Sequence, residues 1–282
     1  MSDTVILNWV TYVYFGSSIL YLLRMITGKE FWGGIASWTT VAGFLAQTIA
    51  LILRWITSYK LDIGHAPLSN FYESLIFFAW AIILLYLIVE WRTKWRSAGI
   101  FVAPLAFLSM AYASFAPNVN NRIQPLIPAL QSNWLISHVI SCFLAYAAFA
   151  ITFCLGIMYL VKRLDTGNQE STRPFFRFLP ETSYLDELIY HNIVLGFILL
   201  TLGIVTGSIW AHHAWGPYWS WDPKETWSLI TWLIYAVMLH SRNMKGWQGK
   251  MMAILAIVGF AAVLFTYLGV NYLPGLHSYL QS

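Results

Sequence analysis

The chain has 282 residues, of which 59% are hydrophobic and 10% charged, with a mean hydropathy of +0.62 and a formal net charge of +4. Soluble domains carry about 25% charged residues, so this composition excludes a soluble globular protein. Two cysteines, Cys142 and Cys154, exclude a disulfide framework and a thiolate zinc site.

The N-terminus, Met1 to Val5, lacks a basic region, and the apolar block that follows has no small-residue cleavage site. It reads as a retained helix and not as a signal peptide. Eight apolar segments predict membrane spans, taken in chain order as Val5–Leu23, Ile35–Leu53, Phe71–Val89, Ser97–Phe115, Trp134–Val161, Asn192–Trp210, Glu225–Leu239 and Met251–Leu273. The expected fold is all-α, a polytopic membrane helix bundle forming one integral-membrane domain over residues 1–282. Pro104 falls inside the fourth segment, where a bundle tolerates a kink. The fifth holds both cysteines, read as ordinary lipid- or helix-facing residues.

Loop charge gives the orientation. One side carries Arg24, Lys29, Arg92, Lys94, Arg96, Lys162, Arg163, Arg173, Arg177, Arg242, Lys245 and Lys250, which is 12 of the 16 cations. The other side carries Arg54, Lys60, Arg122 and Lys224. The cation-rich side is cytoplasmic, which places both termini outside. The positive net charge therefore reflects membrane topology, and no nucleic-acid partner is expected. Residues 57–70, 116–133, 211–224 and the tail from Pro274 fall outside. Lys162 to His191 reads as a cytoplasmic linker, with His191 at a helix start.

Six of the 15 tryptophans lie between Trp210 and Trp232. The densest stretch, Trp215-Gly216-Pro217-Tyr218-Trp219-Ser220-Trp221-Asp222-Pro223-Lys224-Glu225, is an outer loop. An aromatic belt would spread over helix ends on both sides of the bilayer. This loop instead concentrates large rings in one place, which suits stacking on a flat, polarizable ligand such as a porphyrin. Asp222, Pro223 and Glu225 have the spacing of an N-cap, an N1 proline and an N3 acid closing a capping box. Lys224 is one of few outer cations and faces either an anionic ligand group or solvent and lipid phosphate. Upstream, Asn70 and Glu73 have the same capping-box spacing for the third helix.

There are seven histidines, at 65, 138, 191, 212, 213, 240 and 277. His138 lies about one turn into the fifth span and His277 just past the eighth, both on the outer side. Two neutral imidazoles there could hold a haem iron from opposite faces. His240 lies 15 residues beyond Glu225, roughly 22 Å along a helix, towards the inner leaflet. At that depth it is either a functional residue or an interfacial histidine beside Arg242. His212 and His213 border the loop, where they either contact a ligand or, as the preferred reading, are solvated. The chain has no Cys-x-x-Cys-His of its own.

Trp215-Gly216-x-x-Trp219-x-Trp221-Asp222 resembles the tryptophan-rich haem-handling motif of the cytochrome c assembly superfamily. Gly64 to Glu73, Leu130 to His138, and Gly269-Val270-Asn271 leading to Leu276-His277-Ser278-Tyr279 are similar to its system II branch, the Ccs/Res type. The resemblance covers roughly residues 60–280, with the tryptophan-rich loop at 208–232. It implies haem delivery and covalent haem attachment to apocytochrome c on the outer face, by one subunit of a holocytochrome c synthase. It further implies haem b as a transiently bound substrate, with His138 and His277 as external axial ligands and His240 as an intramembrane ligand to haem iron. Trp215, Gly216, Trp219, Trp221 and Asp222 would form the ligand platform. A second subunit of the CcsB/ResB type would supply another intramembrane ligand. The other implied partners are an apocytochrome c bearing Cys-x-x-Cys-His, and membrane lipids. A bacterial plasma membrane is expected rather than a thylakoid. The rival readings are a haem exporter or lyase subunit of another branch, and an electron-transfer membrane cytochrome with a permanent haem.

Overall fold

The structure, a computed structural model, describes residues 2–165, 176 and 178–273. Among the described residues it is helical throughout, with no strand. The eight long helices are α1 (Asp3–Thr27), α2 (Glu30–Lys60), α3 (Phe71–Thr93), α4 (Gly99–Phe115), α5 (Asn133–Arg163), α6 (Thr182–Trp215), α7 (Pro223–Lys245) and α8 (Lys250–Tyr267). Seven of them are long and apolar enough to cross a membrane, α4 and α8 with their flanking 3-10 turns. The exception is α7, which has the length at 23 residues but spends its ends on Lys224, Glu225, Arg242, Asn243 and Lys245. The chain is a polytopic helical membrane protein.

The expected start of the sixth helix needs correction. The sixth helix starts at Thr182, ten residues before the predicted span, so His191 lies within it and not at its start. Charged residues made Thr182–His191 read as linker. Leu185 and Ile189 are nevertheless fully buried, because they recur at the i, i+4 spacing of one helix face.

The chain divides into two compact units, Met1–Gln124 with Met158–Leu185, and Pro125–Ile157 with Asp186–Ser282. In the first, α1 packs on α2 and α4, and α3 packs on α4. The hydrocarbon core offers no water, so buried polar groups must pair within the protein. Gln47 of α2 shows how. Its Oε1 accepts from Tyr14 of α1 at 2.6 Å, its Nε2 donates to the Ile76 carbonyl of α3 at 2.9 Å, and Met110 Sδ of α4 lies 3.3 Å away. One side chain thus ties four helices. Near one end of the unit, Arg54 donates to Glu73 at 2.7 Å, to Asp3 at 2.9 Å and to the Asn121 carbonyl at 3.0 Å. Glu73 caps α3 only in part. Its backbone N–H donates to Asn70 Oδ1, as predicted, but its carboxylate turns to Arg54 and Ser69 instead of completing the box.

In the second unit Phe149 of α5 stacks on Tyr235 of α7, centroids 3.5 Å apart and 7° from parallel. Trp232 of α7 donates to Thr201 of α6 at 2.8 Å, and Thr231 of α7 bonds Thr266 of α8 at 2.8 Å. The α7–α8 turn is tied to α6 by Asp186, which accepts from Arg242 and from the Gly249 N–H, each at 2.7 Å. Cys142 and Cys154 are both buried and free.

Replacing Arg54 by Ala strands two carboxylates in a site where Arg54 and Glu73 are almost wholly buried. The expected cost is roughly 3–5 kcal/mol, measured as a lower thermal midpoint of the detergent-solubilised protein. Lys60→Ala, at an exposed position, should shift it by less than about 0.5 kcal/mol equivalent.

Candidate functional site

The tryptophan loop is built from both of its ends. α6 stops at Trp215 because Gly216 takes a left-handed conformation, φ +99°, and Pro217 follows. His212, exposed as expected, also closes this turn. Its ring stacks on Tyr218, centroids 4.1 Å apart and 8° from parallel, and its Nδ1 donates to the Gly216 carbonyl. At the other end the predicted capping box is present. Asp222 accepts from the Lys224 N–H at 2.9 Å, and Glu225 accepts from the Asp222 N–H at 3.3 Å. Glu225 also accepts from the Ser220 N–H at 2.7 Å.

Between these anchors Trp221 sits at φ +59°, a region bulky residues avoid. The strain, on the order of 1–3 kcal/mol, is held by the Glu225 contacts on either side of it. The residue is 69% exposed, and its ring meets Trp219 edge-on at 5.9 Å. Trp219 is half-buried, and its indole N–H is buried without an acceptor among the described residues.

His138 is half-buried on the second turn of α5. Its Nδ1 lies 2.7 Å from the Gly203 carbonyl of α6. A carbonyl only accepts, so Nδ1 carries the proton, and in the neutral ring Nε2 carries the lone pair that can bind a metal. The Trp210 ring runs nearly parallel to His138 at 6.2 Å and meets Trp215 edge-on at 4.8 Å. Trp210 Nε1 is fixed by the Ala129 carbonyl at 2.8 Å. A continuous run of rings thus joins His138 to the start of the loop. Sequence reasoning did not single out Trp210 as part of the site. The available signal was the Gly203, Gly207, Trp210 spacing, which keeps one face of α6 towards α5.

Lys224, in the first turn of α7, is half-buried, and its Nζ lies 3.5 Å from Asn271 Oδ1 beyond α8. Burial pushes its pKa down to about 8, against the opposing pull of Asp222. His240 is exposed on α7, on a stripe with Leu233, Val237 and Met244. Its neighbour Arg242 is engaged by Asp186 and Tyr190. His277 lies outside the described residues. His65, to which the resemblance assigned no role, is buried in the first unit. Its two ring nitrogens face the Ala66 carbonyl at 2.8 Å and the Gln124 carbonyl at 3.0 Å, which joins two loops. Among the described residues no three His, Cys, Asp or Glu side chains converge as a bare-metal site. A single imidazole beside an aromatic surface suits a metal already held in a macrocycle.

Fold and site define a helical membrane protein with an aromatic, histidine-bearing loop surface. The family described as cytochrome C assembly protein matches residues 68–277, and the chain belongs to that family. It is 39% identical over 292 residues to the cytochrome c biogenesis protein CcsA of Guillardia theta, covering 94% of this chain and 95% of that protein. To the protein of the same name in Chlorella vulgaris it is 40% identical, with 94% and 95% covered. To that of Synechococcus sp. (strain JA-3-3Ab) it is 41% identical, with 88% and 89% covered. Among solved structures it shares the fold of cytochrome c heme lyase CcmF at a TM-score of 0.70 and 17% identity. That match covers 95% of this chain, which spans about half (47%) of the lyase chain.

The lowered Lys224 pKa has a signed consequence. Unfolded, the lysine binds its proton up to about 10.5; folded, it releases it near 8. Between these values the unfolded state holds more protons, so stability rises with pH. Relative to Lys224→Met, the wild type should gain on the order of 2–4 °C in Tm between pH 8 and 10, the shift expected for about 1 kcal/mol. A difference that stays flat with pH would contradict the burial of this cation.

Proposed function

We propose that this chain is the multi-span subunit of a two-protein holocytochrome c synthase. In this role it receives haem b as substrate and presents it, on the outer face of the membrane, to an apocytochrome c. The observation that carries the reading is the His138 imidazole, with its Nδ1 proton committed to the Gly203 carbonyl, beside the Trp210 ring, which in turn meets Trp215. That arrangement leaves a ligating nitrogen next to an aromatic surface, as an axial haem ligand requires.

In the proposed site His138 and His277 bind the iron from opposite faces. Trp215, Gly216, Trp219, Trp221 and Asp222 shape the platform under one edge of the macrocycle. The Trp219 indole N–H and the Lys224 ammonium are the donors suited to haem propionates. His240, on the exposed stripe of α7, serves as an intramembrane ligand. A second subunit of the CcsB/ResB type covers that stripe and supplies the opposing ligand. Haem passes from the intramembrane site to the outer one. There each thiol of a Cys-x-x-Cys-His segment adds across a vinyl group. A C–S bond forms, the C=C bond is consumed, and the thiol proton ends on the neighbouring carbon, so no oxidant is needed. The protein contributes orientation, which can supply several kcal/mol when thiol and vinyl are held in near-attack geometry.

The split of 12 cytoplasmic to four outer cations supports an outer location for both termini and for the loop. The family match over residues 68–277 supports a haem-handling core at about 60–280. We take the host membrane to be a bacterial plasma membrane. A thylakoid membrane is the second reading, favoured by the relatives in Synechococcus and algae, and membrane fractionation distinguishes them.

His138→Gly or His277→Gly should strip low-spin haem from the purified protein, and added imidazole should restore part of the cytochrome c assembly. Full-rate maturation by the double variant would remove both residues from the ligand set. His240→Ala should lower co-purified haem several-fold with an unchanged thermal midpoint, because its side chain is exposed. Unchanged haem content would exclude the intramembrane role.

A further inference from the structure

α5 and α6 approach each other along a row of α6 glycines. A Cβ on Gly196 would run into the Phe149 ring, and one on Gly203 would lie 2.5 Å from Cys142 Sγ. One on Gly207 would lie 2.5 Å from His138 Nδ1 and 2.8 Å from its Cε1. The α6 positions advance by seven and then four residues while the α5 positions step back by the same intervals, as antiparallel helices in register require.

The contact at Gly207 differs from the other two in what lies beneath it. Within a helix the carbonyl of residue i accepts the N–H of residue i+4, so the side chain of Gly207, had it one, would stand beside the Gly203 oxygen. That oxygen is the acceptor for His138 Nδ1 at 2.7 Å, and Thr206 Oγ1 also reaches it at 3.1 Å. A carbonyl has two lone pairs and can take a donor from another helix, but only where no side chain covers it. Gly207 is the residue that uncovers it.

We propose that Gly207 is a positioning residue for the haem ligand. By lacking a side chain it opens the Gly203 carbonyl to His138, which fixes the Nδ1–H tautomer and leaves Nε2 as the iron-binding nitrogen. This inference rests on the assignment of His138 as an axial ligand. An outer hydrogen bond of this kind orients the ring and raises its basicity, and losing it typically costs 10–100-fold in metal affinity.

The test uses the full chain purified in detergent from haem-replete cells, with the visible spectrum of bound haem b read with and without added imidazole. Gly207→Ala should convert low-spin haem to a high-spin form and weaken haem retention on the order of 10-fold or more, and imidazole should restore the low-spin spectrum. Gly196→Ala, which meets an equally close neighbour in Phe149, should lower thermal stability and leave the spectrum unchanged. In the double variant Gly207→Ala/His138→Gly the ring that the new methyl would strike is gone. Its imidazole-restored spectrum should equal that of His138→Gly alone, so the proposal remains testable should Gly207→Ala fold poorly. A wild-type spectrum in Gly207→Ala, with His138→Gly high-spin and rescued by imidazole, overturns the positioning role and leaves the ligand assignment standing. The same spectral shift in Gly196→Ala, or a further loss in the double variant, also overturns it. A wild-type spectrum in His138→Gly overturns the ligand assignment and this inference with it.

Discussion

An imidazole near the edge of a bilayer must satisfy one nitrogen within the protein before the other can bind a metal in a defined direction. His138 does so through a helix carbonyl, the Gly203 oxygen of α6. The second unit is arranged around making that contact possible. α5 and α6 come close because glycines face Phe149, Cys142 and His138. The same face of α6 then presents Trp210, which is locked by the Ala129 carbonyl and lies beside His138. The His138 ring, the run of indoles beside it and the start of the tryptophan loop thus depend on one interhelical spacing.

The loop itself resolves a local conflict. Trp221 in the left-handed region costs on the order of 1–3 kcal/mol, and no glycine relieves it. A well-formed helix start is worth about 1–2 kcal/mol, and the Glu225 carboxylate adds bonds to Ser220 on the other side of Trp221. The capping box therefore does more than begin α7: it holds the backbone that turns an indole outward. At the opposite end His212 performs a similar task on Gly216 and Tyr218. Asp222 and Glu225 are structural residues whose effect on a ligand would pass through the rings they orient.

Within the first unit, too, buried polar groups are paired inside the protein. Gln47 and Arg54 are polar residues in apolar surroundings, and each is retained by several partners on different segments. Arg54 and His65 both reach the 116–124 stretch, through the Asn121 and Gln124 carbonyls. That stretch is thereby tied to α2 and to the loop that carries His65. This accounts for the buried charges at one end of an otherwise lipid-suited bundle.

Much of this was legible in the sequence because it depends on local order. Apolar block lengths defined the helices, and the Asp222-Pro223-Lys224-Glu225 spacing defined the α7 cap. The tryptophan motif with its flanking histidines carried the resemblance that the family match bears out. Where local composition misled, the cause was local too. Charged residues disguised Thr182–His191 as linker, although Leu185 and Ile189 keep helical periodicity. Residues whose roles depend on distant neighbours were not readable. His212 became a stacking partner only once Gly216 folded back on it, and Trp210 joined His138 only because α5 lies against α6. His65 found its second carbonyl 59 positions away. The sequence by itself determined which segments are helices and which residue types could bind haem. Only the tertiary structure decided which nitrogen of His138 holds a proton, because that rests on a carbonyl 65 residues distant, exposed by a glycine whose purpose no local pattern reveals.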